Sequence, residues 1–296
     1  MPTTALALLN RPSAQAPEHK PGGFAFKLVD PAGQYLSVLD LGVTRGDGIF
    51  ETISVGDGAP QALEPHLRRF ARSAAALGMP EPDLDAWRTA ILAVISELDP
   101  APEAWVKTVM TRGIEGDSRP SGWAYASVSG DFTAARTEGI RVVTLDRGYR
   151  HDVERTSPWL LTGAKTLSYA VNRSVLREAA RRNADDVIFV SSDGYVLEGP
   201  TSTVLYRRGD RLLTPGTGLG ILEGTTQGSL FELAARRGMR TGFELLTPAE
   251  LETADAIWLV SSVRHAAPIR ELDGTPRPVD AELTTAMNDH LANRVS

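Results

Sequence analysis

Only four lysines (Lys20, Lys27, Lys107 and Lys165) stand against 27 arginines in this chain, so amine chemistry has few places to sit. Lys165 lies in Thr162-Gly163-Ala164-Lys165-Thr166-Leu167-Ser168-Tyr169, a run of small and nearly uncharged residues. Burying such an amine disfavours its charged form and makes it nucleophilic toward an aldehyde. The same run also fits a surface lysine at a helix start. Glu198 follows the turn Asp193-Gly194 and precedes Gly199-Pro200. A carboxylate fixed there can hold a pyridine nitrogen protonated, turning the ring into an electron sink; it equally fits a solvated strand end. Gly224-Thr225-Thr226 opens a helical pattern, and the backbone N–H groups of a helix N-terminus with two hydroxyls suit a phosphate. Ser261-Ser262 can add hydroxyl donors, and Arg69 a fixed cation. Capping, a strand end and a solvated helix face are the structural alternatives for these three.

Other chemistries are excluded. Five histidines show no metal-ligand spacing, and there is no G-x-S-x-G elbow and no P-loop. Pro215-Gly216-Thr217-Gly218-Leu219-Gly220 does not fit G-x-G-x-x-G. The absence of cysteine removes thiolates and disulfides. A net charge of −6 argues against a nucleic-acid binder. No apolar run approaches a membrane span, and Ala5–Leu9 is too short for a signal segment. The cytoplasm is the expected location.

The elements that must position these residues divide into two halves. Ile49–Val55 reads as a strand, Gly56-Asp57-Gly58 as a turn, and Glu64–Leu77 as a helix with Leu67, Phe70 and Ala74 on one face and Gly78 as its stop. Asp83–Leu98 is a second helix; Trp105–Thr111, Trp123–Ser129 and Ile140–Leu145 are strands. The charged stretch after Asp146 breaks the periodicity. Beyond it Ser168–Arg182 is a helix, Asp186–Ser191 and Tyr195–Glu198 a hairpin, and Thr226–Arg237 a helix closed by Gly238. Thr247-Pro248-Ala249-Glu250 is a capping box, and Ala256–Ser262 a buried strand. Mixed strands and helices without βαβ alternation predict an α+β fold. The expected organisation is a disordered arm over 1–22, a small α+β domain over 23–146, a linker over 147–158 and a larger domain over 159–296.

Taken in order, these motifs resemble the fold-type IV enzymes that depend on pyridoxal 5′-phosphate (PLP). That family includes branched-chain and D-amino acid aminotransferases and aminodeoxychorismate lyase. The resemblance covers about residues 24 to 275 and rests on Arg45-Gly46-Asp47-Gly48-Ile49-Phe50-Glu51-Thr52, His66-Leu67-Arg68-Arg69-Phe70, Thr111-Arg112-Gly113, Lys165, Asp193–Gly199, Leu222–Thr226, Ala254-Asp255 and Ser261-Ser262. It implies a two-domain fold of the D-amino acid aminotransferase type. It also implies that Lys165 carries PLP as a Schiff base and shuttles protons, and that Glu198 pairs with the pyridine nitrogen. Arg69, Thr225, Thr226 and Ser262 would hold the phosphate, with Tyr169 near the ring hydroxyl. Gln227 and Thr201-Ser202-Thr203 depart from the residues usual in the aminotransferase branches.

The stretch Lys165–Asn172 and Gly194–Pro200 is most similar to the lyase branch. There the resemblance implies that Lys107, Arg112 and Arg119 grip a dicarboxylic substrate, with Phe50 also lining its site. The activity so implied is cleavage of 4-amino-4-deoxychorismate to 4-aminobenzoate and pyruvate, a step of folate synthesis. The alternatives are transamination of branched-chain or D-amino acids, and a PLP-binding protein without turnover. The resemblance further implies a homodimer acting on a small amine, with neither nucleic acid nor membrane as partner.

Overall fold

The computed structural model describes residues 2–9, 26–117 and 119–294. They form two compact units. One comprises the described residues to Gly130 with Ala164–Tyr169 and Arg294; the other comprises Asp131–Gly163 and Ala170–Asn293.

The first unit contains β1 (Thr4–Leu9), β2 (Phe26–Val29), α1 (Leu41–Arg45), β3 (Gly48–Gly56), β4 (Ala59–Pro60), α2 (Leu63–Ala76), α3 (Leu84–Ser96), β5 (Glu103–Thr111) and β6 (Ser121–Val128). Its six strands run in the order β2-β1-β6-β5-β3-β4, all antiparallel. The period-2 alternation of a strand turns Ile49 and Ile53 of β3, with Val106, Ala124 and Ala126, into a core shared with Leu67 and Phe70 of α2 and Ile91 and Val94 of α3. The same alternation turns Phe50, Thr52 and Lys107 to the other face. Asp83 caps α3, accepting a hydrogen bond from the Ala86 N–H at 3.0 Å.

Two expectations change here. Thr4–Leu9 is a strand, not part of a disordered arm, because Ala5 and Ala7 are small enough to bury completely between β2 and β6. One of its two pairing partners, β6, lies more than a hundred residues away, out of reach of a local pattern. The remainder of the predicted arm, 10–22, lies outside the described residues. The unit boundary also differs: the chain leaves the first unit at Gly130, before the strand over 140–146 that was expected to close the small domain.

The second unit contains α4 (Thr133–Thr137), β7 (Ile140–Asp146), α5 (Val153–Thr156), α6 (Ala170–Arg181), β8 (Asp186–Val190), β9 (Thr203–Arg208), β10 (Arg211–Pro215), α7 (Thr225–Arg236), β11 (Arg240–Glu244), α8 (Pro248–Leu251), β12 (Ala256–Ser261), β13 (His265–Leu272), β14 (Thr275–Pro276) and α9 (Ala281–Ala292). Its sheet runs β11-β10-β9-β12-β13-β7-β8, with β14 paired to β13. Leu205, Leu212 and Trp258 pack one face against Leu230 of α7 and Met287 and Leu291 of α9. Trp258 donates its indole N–H to Thr284 at 2.8 Å, so this large buried side chain has no orphaned polar atom. Thr247 and Glu250 form the expected reciprocal capping box. The stretch 147–158, read as a linker from its charge, belongs to this unit. Tyr195–Glu198 is not a regular strand; it bonds to β8 through Leu197 N–H to Phe189 O and Phe189 N–H to Glu198 O, both 2.8 Å.

Candidate active site

Lys165 is fixed by its backbone. The Phe50 N–H donates to the Lys165 carbonyl at 3.1 Å and the Leu167 N–H to the Gly48 carbonyl at 2.8 Å, so 165–167 runs along the start of β3. The Lys165 N–H donates to Ser73 Oγ on α2 at 3.1 Å. Glycine at position 48 permits this approach: a Cβ there would lie 2.8 Å from Leu167 Cδ1 and 2.7 Å from the Met110 carbonyl. The Lys165 side chain then lies over Phe50, its Nζ 4.5 Å from the ring centroid. Tyr169 meets the same ring edge-on at 5.2 Å. Lys107 approaches it from β5, Nζ 6.0 Å from the Phe50 centroid and 5.5 Å from that of Trp105. Phe50, Lys107, Lys165 and Tyr169 are thus brought together around one aromatic ring.

Arg69 sits beneath the sheet. It is buried on α2, its Nε donating to Glu51 Oε1 at 2.7 Å and its Nη2 to Oε2 at 2.8 Å. Burial alone would raise the Glu51 carboxyl, but the charge and hydrogen bonds of Arg69 outweigh it and hold the group far below the usual carboxylate range. Burial pushes the His66 imidazole down against the charge of Glu51, and its Nδ1–H donates to the Glu51 carboxylate at 2.8 Å. A charged residue between Ile49 and Ile53 on the core face of β3 was the available sign of this cluster, and Glu51 was missed as a functional support.

Arg112 and Arg119 both have partners within the first unit. Arg112 donates from Nε to Asp47 at 2.7 Å and from its terminal nitrogens to the carbonyls of Leu77 and Gly78, closing the C-terminal end of α2. Arg119 pairs with Asp117 two residues earlier. A two-residue spacing favours that local pair over a shared substrate grip.

In the second unit, Glu198 accepts at Oε2 from the Leu222 N–H at 3.1 Å. The N-terminus of α7 carries a glycine cap, Gly224, with no side-chain hydrogen bond. A Cβ there would lie 2.5 Å from Thr203 Oγ1, so a larger residue would force that side chain to move. Thr226 is buried in the first turn, its Oγ1 3.5 Å from Ser262 Oγ at the end of β12. Thr225 precedes it. First-turn N–H groups, two converging hydroxyls and the positive end of a three-turn helix make an anion cradle. Each unit by itself presents groups of a kind that suits PLP: in the first a primary amine over an aromatic ring, in the second a carboxylate anchored by backbone and an anion cradle.

The comparisons agree. The family model for amino-transferase class IV matches residues 48–272. The chain belongs to the class IV aminotransferases. It is 43% identical over 275 residues, 89% of this chain and 95% of the relative, to the bifunctional aminodeoxychorismate lyase / D-amino acid transaminase of Mycobacterium tuberculosis. A fold IV-transaminase structure from Curtobacterium pusillum superimposes with a TM-score of 0.92 at 52% identity, covering 99% of this chain and 100% of that one. The PLP-bound form of a hypothetical aminotransferase from M. tuberculosis gives 0.85 at 42% identity, covering 90% and 96%. The protein is therefore a PLP-dependent enzyme of fold type IV, a lyase or an aminotransferase, which sets aside the reading without turnover.

Proposed function

We propose that this class IV aminotransferase is a lyase that converts 4-amino-4-deoxychorismate to 4-aminobenzoate and pyruvate, with transamination of D-amino acids as a second activity. The observation that carries it is the pair of lysines on one ring, Lys165 at 4.5 Å and Lys107 at 6.0 Å from the Phe50 centroid. It sets a cation suited to a substrate carboxylate beside the reactive amine. With Arg112 and Arg119 held by the fold, Lys107 takes that role. The bifunctional relative supports both activities.

PLP, when bound, supplies an aldehyde for covalent attachment and a ring that accepts electrons. Lys165 would hold it through Nζ, and the same amine, neutral, would be the base beside the substrate carbon that bears the amine. Lys165 takes that carbon's proton, the C–O bond to the enolpyruvyl group breaks, and the departing group gains a proton to become pyruvate; aromatisation makes the step irreversible. In transamination Lys165 moves the proton instead of losing a leaving group. Glu198 would keep a proton on the pyridine nitrogen. Thr225, Thr226 and Ser262 would hold the phosphate, with Arg69 as its cation, and Phe50 and Tyr169 would wall the reacting amine from water. We further propose a cytoplasmic homodimer, for which light scattering at working concentration is the measure; a monomer mass refutes it.

The test offers the PLP-loaded enzyme aminodeoxychorismate, generated in place from chorismate by its synthase, and separately D-alanine with 2-oxoglutarate. Fluorescent 4-aminobenzoate in the first arm, lost in Lys165→Ala, supports the lyase. Turnover in the second arm alone refutes it and leaves an aminotransferase.

A further inference from the structure

The turn Ser262-Val263-Arg264 joins β12 to β13, which pair at Ser261 and His265. Val263 and Arg264 lie between the paired residues, so their carbonyls must find partners outside the ladder. Arg136 of α4 supplies both. Its Nε donates to the Arg264 carbonyl and its Nη2 to the Val263 carbonyl, each at 3.0 Å. A guanidinium presents its N–H groups as a rigid planar fork, so the two carbonyls are fixed as one unit.

The turn is held from other sides as well. Asn288 of α9 brackets Ala266, accepting from its N–H and donating to its carbonyl, both at 3.0 Å. The Arg264 guanidinium lies 2.7 Å from the Asp186 carboxylate at the start of β8. His265 has φ +63°, a left-handed conformation that costs energy for a residue with a side chain. Backbone kept in such a conformation by its surroundings points to a functional demand on the segment. What the turn presents is Ser262, whose Oγ lies 3.5 Å from Thr226 Oγ1 in the first turn of α7. The position of the turn therefore decides whether the two hydroxyls converge. The clamp is seated apart from that pair, because Ala135 beside Arg136 packs on the core that contains Ala267 and Ile269 of β13. All of these residues belong to the second unit.

We propose that Arg136 is a positioning residue for the anion cradle: it holds the turn that aims Ser262 at the cofactor's phosphate, and it acts on the phosphate only through that serine. This role depends on Ser262 belonging to the phosphate cradle.

Apoprotein carrying Arg136→Met, Arg136→Lys, Ser262→Ala or the double change Arg136→Met/Ser262→Ala is titrated by absorbance with PLP and, separately, with pyridoxal, which lacks the phosphate. Arg136→Met is expected to weaken PLP binding about tenfold, the order of one lost hydrogen bond to a charged group. Its affinity for pyridoxal should equal that of wild type. Arg136→Lys, whose amine replaces the two-pronged fork with a single point, should fall between. The double variant should bind PLP as Ser262→Ala does, since two residues acting through one contact are not additive. Equal weakening of PLP and pyridoxal would make Arg136 a structural support only and overturn the proposal. Additive losses in the double variant overturn it too, as does Arg136→Met binding PLP like wild type while Ser262→Ala is weakened. If Ser262→Ala itself binds PLP as tightly as wild type, the cradle assignment of Ser262 falls and takes this role with it. If Arg136→Met fails to fold by circular dichroism, Arg136→Lys decides: an unchanged ratio of PLP to pyridoxal affinity overturns the proposal.

Discussion

Glu51→Gln isolates the buried cluster beneath the sheet. Glu51 accepts both near-edge donors of Arg69 and the Nδ1–H of His66, and its side chain is 1% exposed. Glutamine keeps the size but removes the charge, leaving the guanidinium of a 7%-exposed Arg69 without its carboxylate. Breaking a buried pair from one side costs about 3–5 kcal/mol. With an unfolding entropy of about 2.1 cal/mol/K per residue over this chain, roughly 0.6 kcal/mol/K, the melting temperature falls by about 5–8 °C. The double variant Glu51→Gln/Arg69→Met, which removes both charges, should recover most of this loss. Scanning calorimetry of the apoprotein measures it. PLP adds an independent check: if Arg69 also faces the phosphate, the bound anion compensates its charge and the loss shrinks in the holoenzyme. A Glu51→Gln apoprotein melting within about 1 °C of wild type would refute the argument.

The same cluster sets an acid limit. Glu51 titrates lower folded than unfolded, so its contribution is complete above the unfolded carboxyl range near pH 4.3 and fades as pH falls below it; acid denaturation followed by circular dichroism should lose this slope in Glu51→Gln. Lys165→Ala should abolish both activities and the covalent absorbance band, with urea stability little altered. Gly113→Ala should cost about 3 kcal/mol or more in urea unfolding, because φ is +92° and the new Cβ would lie 2.0 Å from the Arg119 carbonyl. Thr226→Val should weaken PLP binding about tenfold by loss of one hydrogen bond to a charged group, measured by equilibrium dialysis; unchanged affinity would remove Thr226 from the phosphate cradle.

Local pattern sufficed where local physics decides. Leu67, Phe70 and Ala74 at helical spacing with Gly78 beyond them marked α2, and Thr247 with Glu250 marked a capping box that forms bond for bond. The ordered motifs from Gly48 to Ser262 carried the family, and with it the PLP chemistry. What the sequence could not determine depended on partners distant in the chain. Thr4–Leu9 is a strand because residues 121–128 offer it an edge. That Arg112 bonds to Asp47 and the carbonyls ending α2, and Arg119 to Asp117, was likewise not legible from the motifs. Arg147 lay in a charged stretch read as a linker, yet its guanidinium stacks on Phe189 of β8 and its N–H bonds to the Val190 carbonyl. A one-dimensional pattern reports which face of an element is apolar. Which cation meets which anion is set by the field and geometry that only the tertiary fold assembles.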